Sequence, residues 1–141
     1  MLPREKFREI VFQLLYAHDF SSEDLEETAE MLMRKLKVTK QILQKAQKQV
    51  RDIEEKLTPI DEKIKNASKS YDFERIPRVE KNILRLGVFE LFFDESIPPK
   101  VAITEAIRLA KKFSTQEGST FVNAVLDAVY QEMKGKKSDA S

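Results

Sequence analysis

Cysteine is absent from this 141-residue chain. That excludes disulfides, thiolate metal sites and a cysteine nucleophile, and it fits a reducing compartment. Glycine occurs only three times and proline five, and no stretch alternates apolar and polar residues over a strand length. The pattern predicts helix throughout. The single histidine, His18, rules out a His-x-x-x-His pair, and there is no Gly-x-x-x-x-Gly-Lys loop or Gly-x-Ser-x-Gly turn. Neither sign of charge dominates, since 25 Lys plus Arg against 24 Asp plus Glu leave a net +1. Any basic site must therefore be a local patch. No apolar run reaches membrane-span length, and no clean apolar core of signal-peptide length follows the N-terminal charges. The expectation is a soluble, cytoplasmic protein.

What is present is an ordinary globular balance, 41% apolar and 35% charged. The length suits one domain, or two small halves sharing one core. Val79 to Phe93 is the most apolar stretch. Ile83, Leu84, Leu86, Val88, Leu91, Phe92 and Phe93 widen its stripe to nearly the whole circumference, so it is expected to be a central helix surrounded by others. Before it, a first helix is expected from Pro3, a good N1 residue, to about Phe20, with Phe7, Ile10, Val11, Leu14, Leu15 and Ala17 buried. Ser21 and Asp24 form a capping-box-like start to a second helix, whose acids precede its bases as the helix dipole favours. The bases from Arg34 to Arg51 scatter around their helix and read as a solvated face.

Leu43, Ala46, Val50, Ile53, Leu57, Ile60 and Ile64 follow a coiled-coil spacing. Pro59 interrupts it, with Thr58 as the expected cap of a new helix. Residues 66–76 turn polar and small, marking a linker. After the central helix, Asp94-Glu95-Ser96-Ile97-Pro98-Pro99 reads as a stop, since proline cannot continue a helix and disfavours one before it. A helix from about Lys100 to Phe113 then buries Ile103, Ala106, Ile107, Ala110 and Phe113, opposite Glu105, Arg108, Lys111 and Lys112. Ser119 or Thr120 caps the last helix, which carries Val122, Val125, Leu126, Val129 and Met133. The expected organisation is one helical domain over 1–135, with halves at about 1–68 and 77–135, and a disordered tail at 136–141.

Chemistry-bearing residues are few. The acids are interleaved with bases, so no working carboxylate pair stands out, and the chain is not expected to be an enzyme. Arg85 lies in the most apolar run and needs a carboxylate, for which Glu105 or Glu90 are the candidates. Phe121, after the Gly118-Ser119-Thr120 turn, is placed in the first turn of the last helix. Spacing alone favours core, although an aromatic there can also stack an unpaired base.

Four ordered stretches carry a resemblance. Arg4-Glu5-Lys6-Phe7-Arg8 followed by Gln13-Leu14-Leu15-Tyr16, then Val79 to Leu91, Pro99 to Ala106 and Phe121 to Asp127, resemble signatures of the NusB family of transcription antitermination factors. The resemblance spans the first helix and most of the C-terminal half. It implies an all-α fold of about six or seven helices in two small packed bundles. It also implies binding of the boxA element of nascent ribosomal RNA as a single strand, together with the small-subunit ribosomal protein NusE, in the transcription elongation complex. No cofactor or metal is implied. Carried over by position, the RNA-facing candidates are Arg4, Lys6, Arg8, Lys100 and Phe121: cations for phosphates and an aromatic for a base. Glu80 and Lys81, on an exposed first turn, are candidate contacts for partner or RNA.

The sequence departs from the family pattern at Glu5, Phe7, Gly87, Thr104 and Ala124. Glu5 dilutes the basic patch. Gly87 costs on the order of 1 kcal/mol of helix propensity against Ala, which close helix approach would require. Two other readings compete. One is the RNA-binding domain of ribosomal RNA cytosine methyltransferases, for which these 141 residues supply neither a catalytic domain nor its cysteines. The other is a helical module that forms a homodimer through the 43–64 seam.

Overall fold

The computed structural model describes residues 3–20, 30–31, 34–35 and 37–139. Every regular element among them is helical. Two compact units divide the chain, Met1–Glu55 and Lys56–Ser141. The boundary thus falls earlier than the 66–76 linker. The expected capping box at Ser21 and Asp24 lies outside the described residues.

In the first unit, α1 (Arg4–Phe20) starts one residue after Pro3, whose carbonyl accepts the Phe7 N–H at 3.1 Å. Pro3 is therefore the residue before the helix and not its first. The helix buries Ile10, Val11, Phe12, Leu14 and Leu15 and packs on α2 (Lys40–Glu55). Thr39 caps α2, its Oγ1 accepting the Ile42 N–H at 3.2 Å. Leu43, Ala46, Val50 and Ile53 form the buried face of α2, while Lys40, Lys45, Lys48 and Arg51 are exposed. His18 Nδ1 contacts Glu54 Oε2, so the C-terminal ends of the two helices lie side by side.

The second unit opens with α3 (Leu57–Ala67), which starts before the expected Thr58 cap. Lys56 precedes it without a side-chain cap bond. Pro59 is tolerated as the third helical residue, where first-turn N–H groups have no partner within the helix. A short 3₁₀ turn, Phe73–Arg75, is capped by Asp72 and leads to α4 (Arg78–Phe93), α5 (Pro99–Phe113) and α6 (Gln116–Asp139). Helix α4 packs against all three of the others in its unit, and every residue from Asn82 to Glu90 is buried. The central-helix expectation holds as far as Glu90, whereas Leu91 and Phe92 are half-buried and Phe93 is exposed. Each fully buried Leu or Ile there is worth about 1.5–3 kcal/mol relative to exposure.

Helix α4 is closed by Asp94, whose Oδ1 accepts the Ser96 N–H at 3.1 Å, and Pro99 then opens α5. The buried stripe of α5 is Ala102, Glu105, Ala106, Leu109 and Ala110. It is rotated from the expected one, leaving Ile103, Ile107 and Phe113 half-buried. The small residues let α5 approach the wide α4. Gly87 does the same for α6: a Cβ there would lie 3.0 Å from Leu126 Cδ1. Helix α6 buries Val122, Val125, Leu126 and Val129 and continues to Asp139. The backbone at 136–139 is thus helical where a disordered tail was expected. Basic residues suit the negative end of a helix dipole.

Candidate nucleic-acid interface

The junction of α5 and α6 shapes the surface around Phe121. Thr115 caps α6, its Oγ1 accepting the Gly118 N–H at 2.9 Å. Ser119 and Thr120, the expected caps, instead lie inside the helix and donate back to the Gln116 carbonyl at 2.8 and 3.1 Å. Phe121 is consequently the sixth residue of α6 and sits in its second turn, not the first. The preceding Ser114 donates through Oγ to Glu80 Oε1, tying this junction to the start of α4. Gly118 lies directly against that bond, and a Cβ there would collide with both Ser114 Oγ and Glu80 Oε1. Glu80 is buried at 8% exposure. It accepts from Ser114 and is buried on a first turn that was expected to be exposed, while still lining the cleft described next.

Beside this junction the Tyr71 and Phe121 rings lie 5.2 Å apart at 50°. Tyr71 is 47% exposed and Phe121 half-buried. They line an open cleft of about 270 Å³ with Pro77, Glu80, Thr115, Glu117 and Gly118. Two offset rings beside carboxylates are suited to a flat group carrying N–H donors, such as an unpaired base. Tyr71 was missed in the sequence because it lies in the polar 66–76 stretch, away from every helical stripe. The pair of aromatics Tyr71 and Phe73 in an otherwise polar stretch was the available signal.

The candidate cations are distributed differently. Lys81 is half-buried, with Nζ 4.6 Å from the Phe73 ring centroid. Lys100 is exposed on the first turn of α5 and is not part of the cleft lining. Arg4 and Lys6 are exposed in the first unit, Lys6 lying 4.0 Å from Glu9. Arg8 departs from expectation. It is only 6% exposed and engaged within the protein, because it falls on the buried face of α1 beside Glu9 and Ile10. Among the described residues no acid or histidine cluster could hold a metal ion, and no helix is long and apolar enough to cross a membrane.

Arg85 finds its carboxylate on α3. Asp61 accepts from Nε at 2.9 Å and from Nη2 at 3.0 Å, a partner that neither Glu90 nor Glu105 had suggested. Glu105 takes the guanidinium of Arg108, with Nε 3.1 Å from Oε2. The arginine in the central helix is thus structural.

Together these features define an all-helical protein with an open aromatic cleft and exposed cations, the kind of surface that meets nucleic acid. The sequence profile of the NusB family matches residues 5–131. The chain belongs to the NusB family. It is 38% identical to a transcription antitermination protein NusB of Nitratiruptor over 99% of this chain and all of that one. Against the NusB of Pseudothermotoga lettingae it is 36% identical, covering 92% and 91%. Among solved structures, a T. maritima NusB superposes with a TM-score of 0.81 at 36% identity, covering 93% and 92%. A chain in a crystal structure of antitermination factors NusB and NusE in complex with dsRNA gives 0.79 at 30% identity, covering 92% and 96%.

Proposed function

We propose that this protein is a transcription antitermination factor that binds the boxA element of nascent ribosomal RNA together with the ribosomal protein NusE, within the transcription elongation complex. It acts by binding rather than by catalysis. The observation that carries the reading is the likeness, over 92% of this chain, to a chain in the crystal structure of antitermination factors NusB and NusE in complex with dsRNA. The Tyr71–Phe121 cleft supports it as a stacking surface for an unpaired base, and the exposed Arg4, Lys6 and Lys100 support it as phosphate contacts. Arg8, carried over with them as a phosphate contact, offers little surface for one, being 6% exposed and engaged within the protein.

The test is a titration of a boxA-like single strand, a scrambled strand and a boxA duplex, each with and without NusE. The expected result is preference for the boxA single strand, strengthened by NusE. A few phosphate contacts should give a log–log salt slope of roughly −2 to −3. Equal binding to boxA and scrambled strands with NusE present would overturn the reading, and stronger binding to the duplex would overturn its single-strand part.

The competing dimer reading has lost its surface. Leu43, Ala46, Val50, Ile53, Ile60 and Ile64 of that seam are buried in the chain, Leu57 is half-buried, and the helix is interrupted at Lys56.

A further inference from the structure

Two ammonium groups converge on one ring in the second unit. Lys65 Nζ, from the last turn of α3, lies 5.0 Å from the Phe73 centroid, and Lys81 Nζ, from the first turn of α4, lies 4.6 Å from the same point. They cannot be farther apart than those two distances combined, and like charges that close repel. Neither ammonium is paired with a carboxylate among the described residues. Among the acids near them in the chain, Asp61 is engaged by Arg85, Glu80 by Ser114 and Asp72 by the Glu74 N–H, while Glu62 and Glu74 are exposed and form no ion pair with either lysine.

The helix dipole accounts for Lys65, which sits at the negative end of α3. It opposes Lys81, which sits at the positive end of α4. The Phe73 quadrupole attracts both cations by about 0.5–1 kcal/mol at an exposed site, but it brings no negative charge. The cluster is thus an ordered pair of cations awaiting an anion. It adjoins the aromatic cleft through the chain itself, since Phe73 lies two residues from Tyr71 and Lys81 follows Glu80.

We infer that Lys65 and Lys81, held over Phe73, form a binding site for one RNA backbone phosphate next to the Tyr71–Phe121 cleft. This rests on the proposed RNA-binding function and adds the site that sets the path of the strand. A phosphodiester beside the ring would supply the negative charge that Phe73 does not, accepting from the ammonium groups it reaches. The ring keeps the lysine stems from wandering, which lowers the entropy lost on binding.

The test uses the full chain with NusE and a boxA-like single strand, comparing wild type, Lys65→Gln, Lys81→Gln, the double variant and Lys111→Gln, an exposed lysine elsewhere on α5. Because both lysines serve one phosphate, the double variant should flatten the salt slope by only about 0.7, one contact's worth. Lys111→Gln should leave the slope unchanged. A scan of oligonucleotides, each with one neutral methylphosphonate linkage, should reveal one linkage whose replacement weakens wild type but not the double variant. Equal flattening by Lys111→Gln, no flattening by the double variant, or no such linkage would overturn the site while leaving the RNA-binding function standing. Failure of wild type itself to prefer boxA would overturn the function first.

Discussion

The carboxylate of Asp61 on α3 receives the guanidinium of Arg85 on α4 through two roughly parallel N–H···O bonds of 2.9 and 3.0 Å. The side chains are 17% and 9% exposed, so the pair is largely removed from water. It joins the first helix of the second unit to its central one. Removing Asp61 would leave a mostly buried guanidinium short of its counter-charge. Asp61→Asn is therefore expected to cost about 3 kcal/mol, measured by urea denaturation. Replacing both partners with apolar residues, Asp61→Leu with Arg85→Met, should recover most of that loss. Equal instability of the single and double variants would show that the pair does not carry it.

All three glycines sit inside helices, and the structure separates Gly118 from Gly87. Gly118→Ala drives a methyl into the Ser114–Glu80 bond. The expected cost is about 1–3 kcal/mol, more than the gain in helix propensity. At Gly87 the methyl meets only the ends of the Leu126 side chain, at 3.0 and 3.2 Å, which can shift by rotation. Gly87→Ala should change the unfolding midpoint much less than Gly118→Ala, and the reverse order would contradict this packing.

Tyr71 and Phe121 should matter to RNA more than to folding, since both keep ring surface in contact with solvent. Replacing either with alanine is expected to weaken single-stranded boxA binding by about 1–3 kcal/mol, the scale of one base stack. Fluorescence titration with NusE present reads this, and circular dichroism checks the fold. Phe121→Ala should also alter sequence preference. A loss of melting temperature with unchanged affinity would return Phe121 to a purely structural role.

The α1 cations should separate in the same way. Arg4→Ala leaves stability unchanged and flattens the salt dependence of binding by about one contact. Arg8→Ala, at a buried and engaged position, lowers the unfolding midpoint. If the two variants behave alike in denaturation, the burial of Arg8 is not maintained in solution.

Val50→Asp and Ile53→Asp place charges at positions with no exposure at all. The expected outcome is loss of helix content in the first unit, seen by circular dichroism, because an unpaired buried carboxylate costs several kcal/mol. Conversion of a tight dimer into a folded monomer, seen by sedimentation, would restore the self-association reading.

Local pattern carried much of this outcome. The all-helical class, the break between Asp94 and Pro98 and the enclosed helix around Ile83 to Val88 follow from spacing and from proline's backbone restrictions, which act over a few residues. The four family-like stretches were legible for the same reason. Cap positions were not. Ser119 and Thr120 are as good N-cap residues as Thr115 on paper, and only the geometry between α5 and α6 selects Thr115.

The remaining site depended on contacts across the chain. Arg85 had to find a carboxylate, a demand the physics of buried charge makes from sequence alone. Which one it finds is set by how α3 lies on α4. Helical periodicity marked Phe121 as apolar and Arg8 as basic, yet it could not say that Phe121 would face Tyr71 or that Arg8 would be covered. Residue type and spacing thus determined the helices and the family. Burial and partner choice among residues far apart in the chain were decided only when the helices packed, because those depend on distances that no local pattern contains.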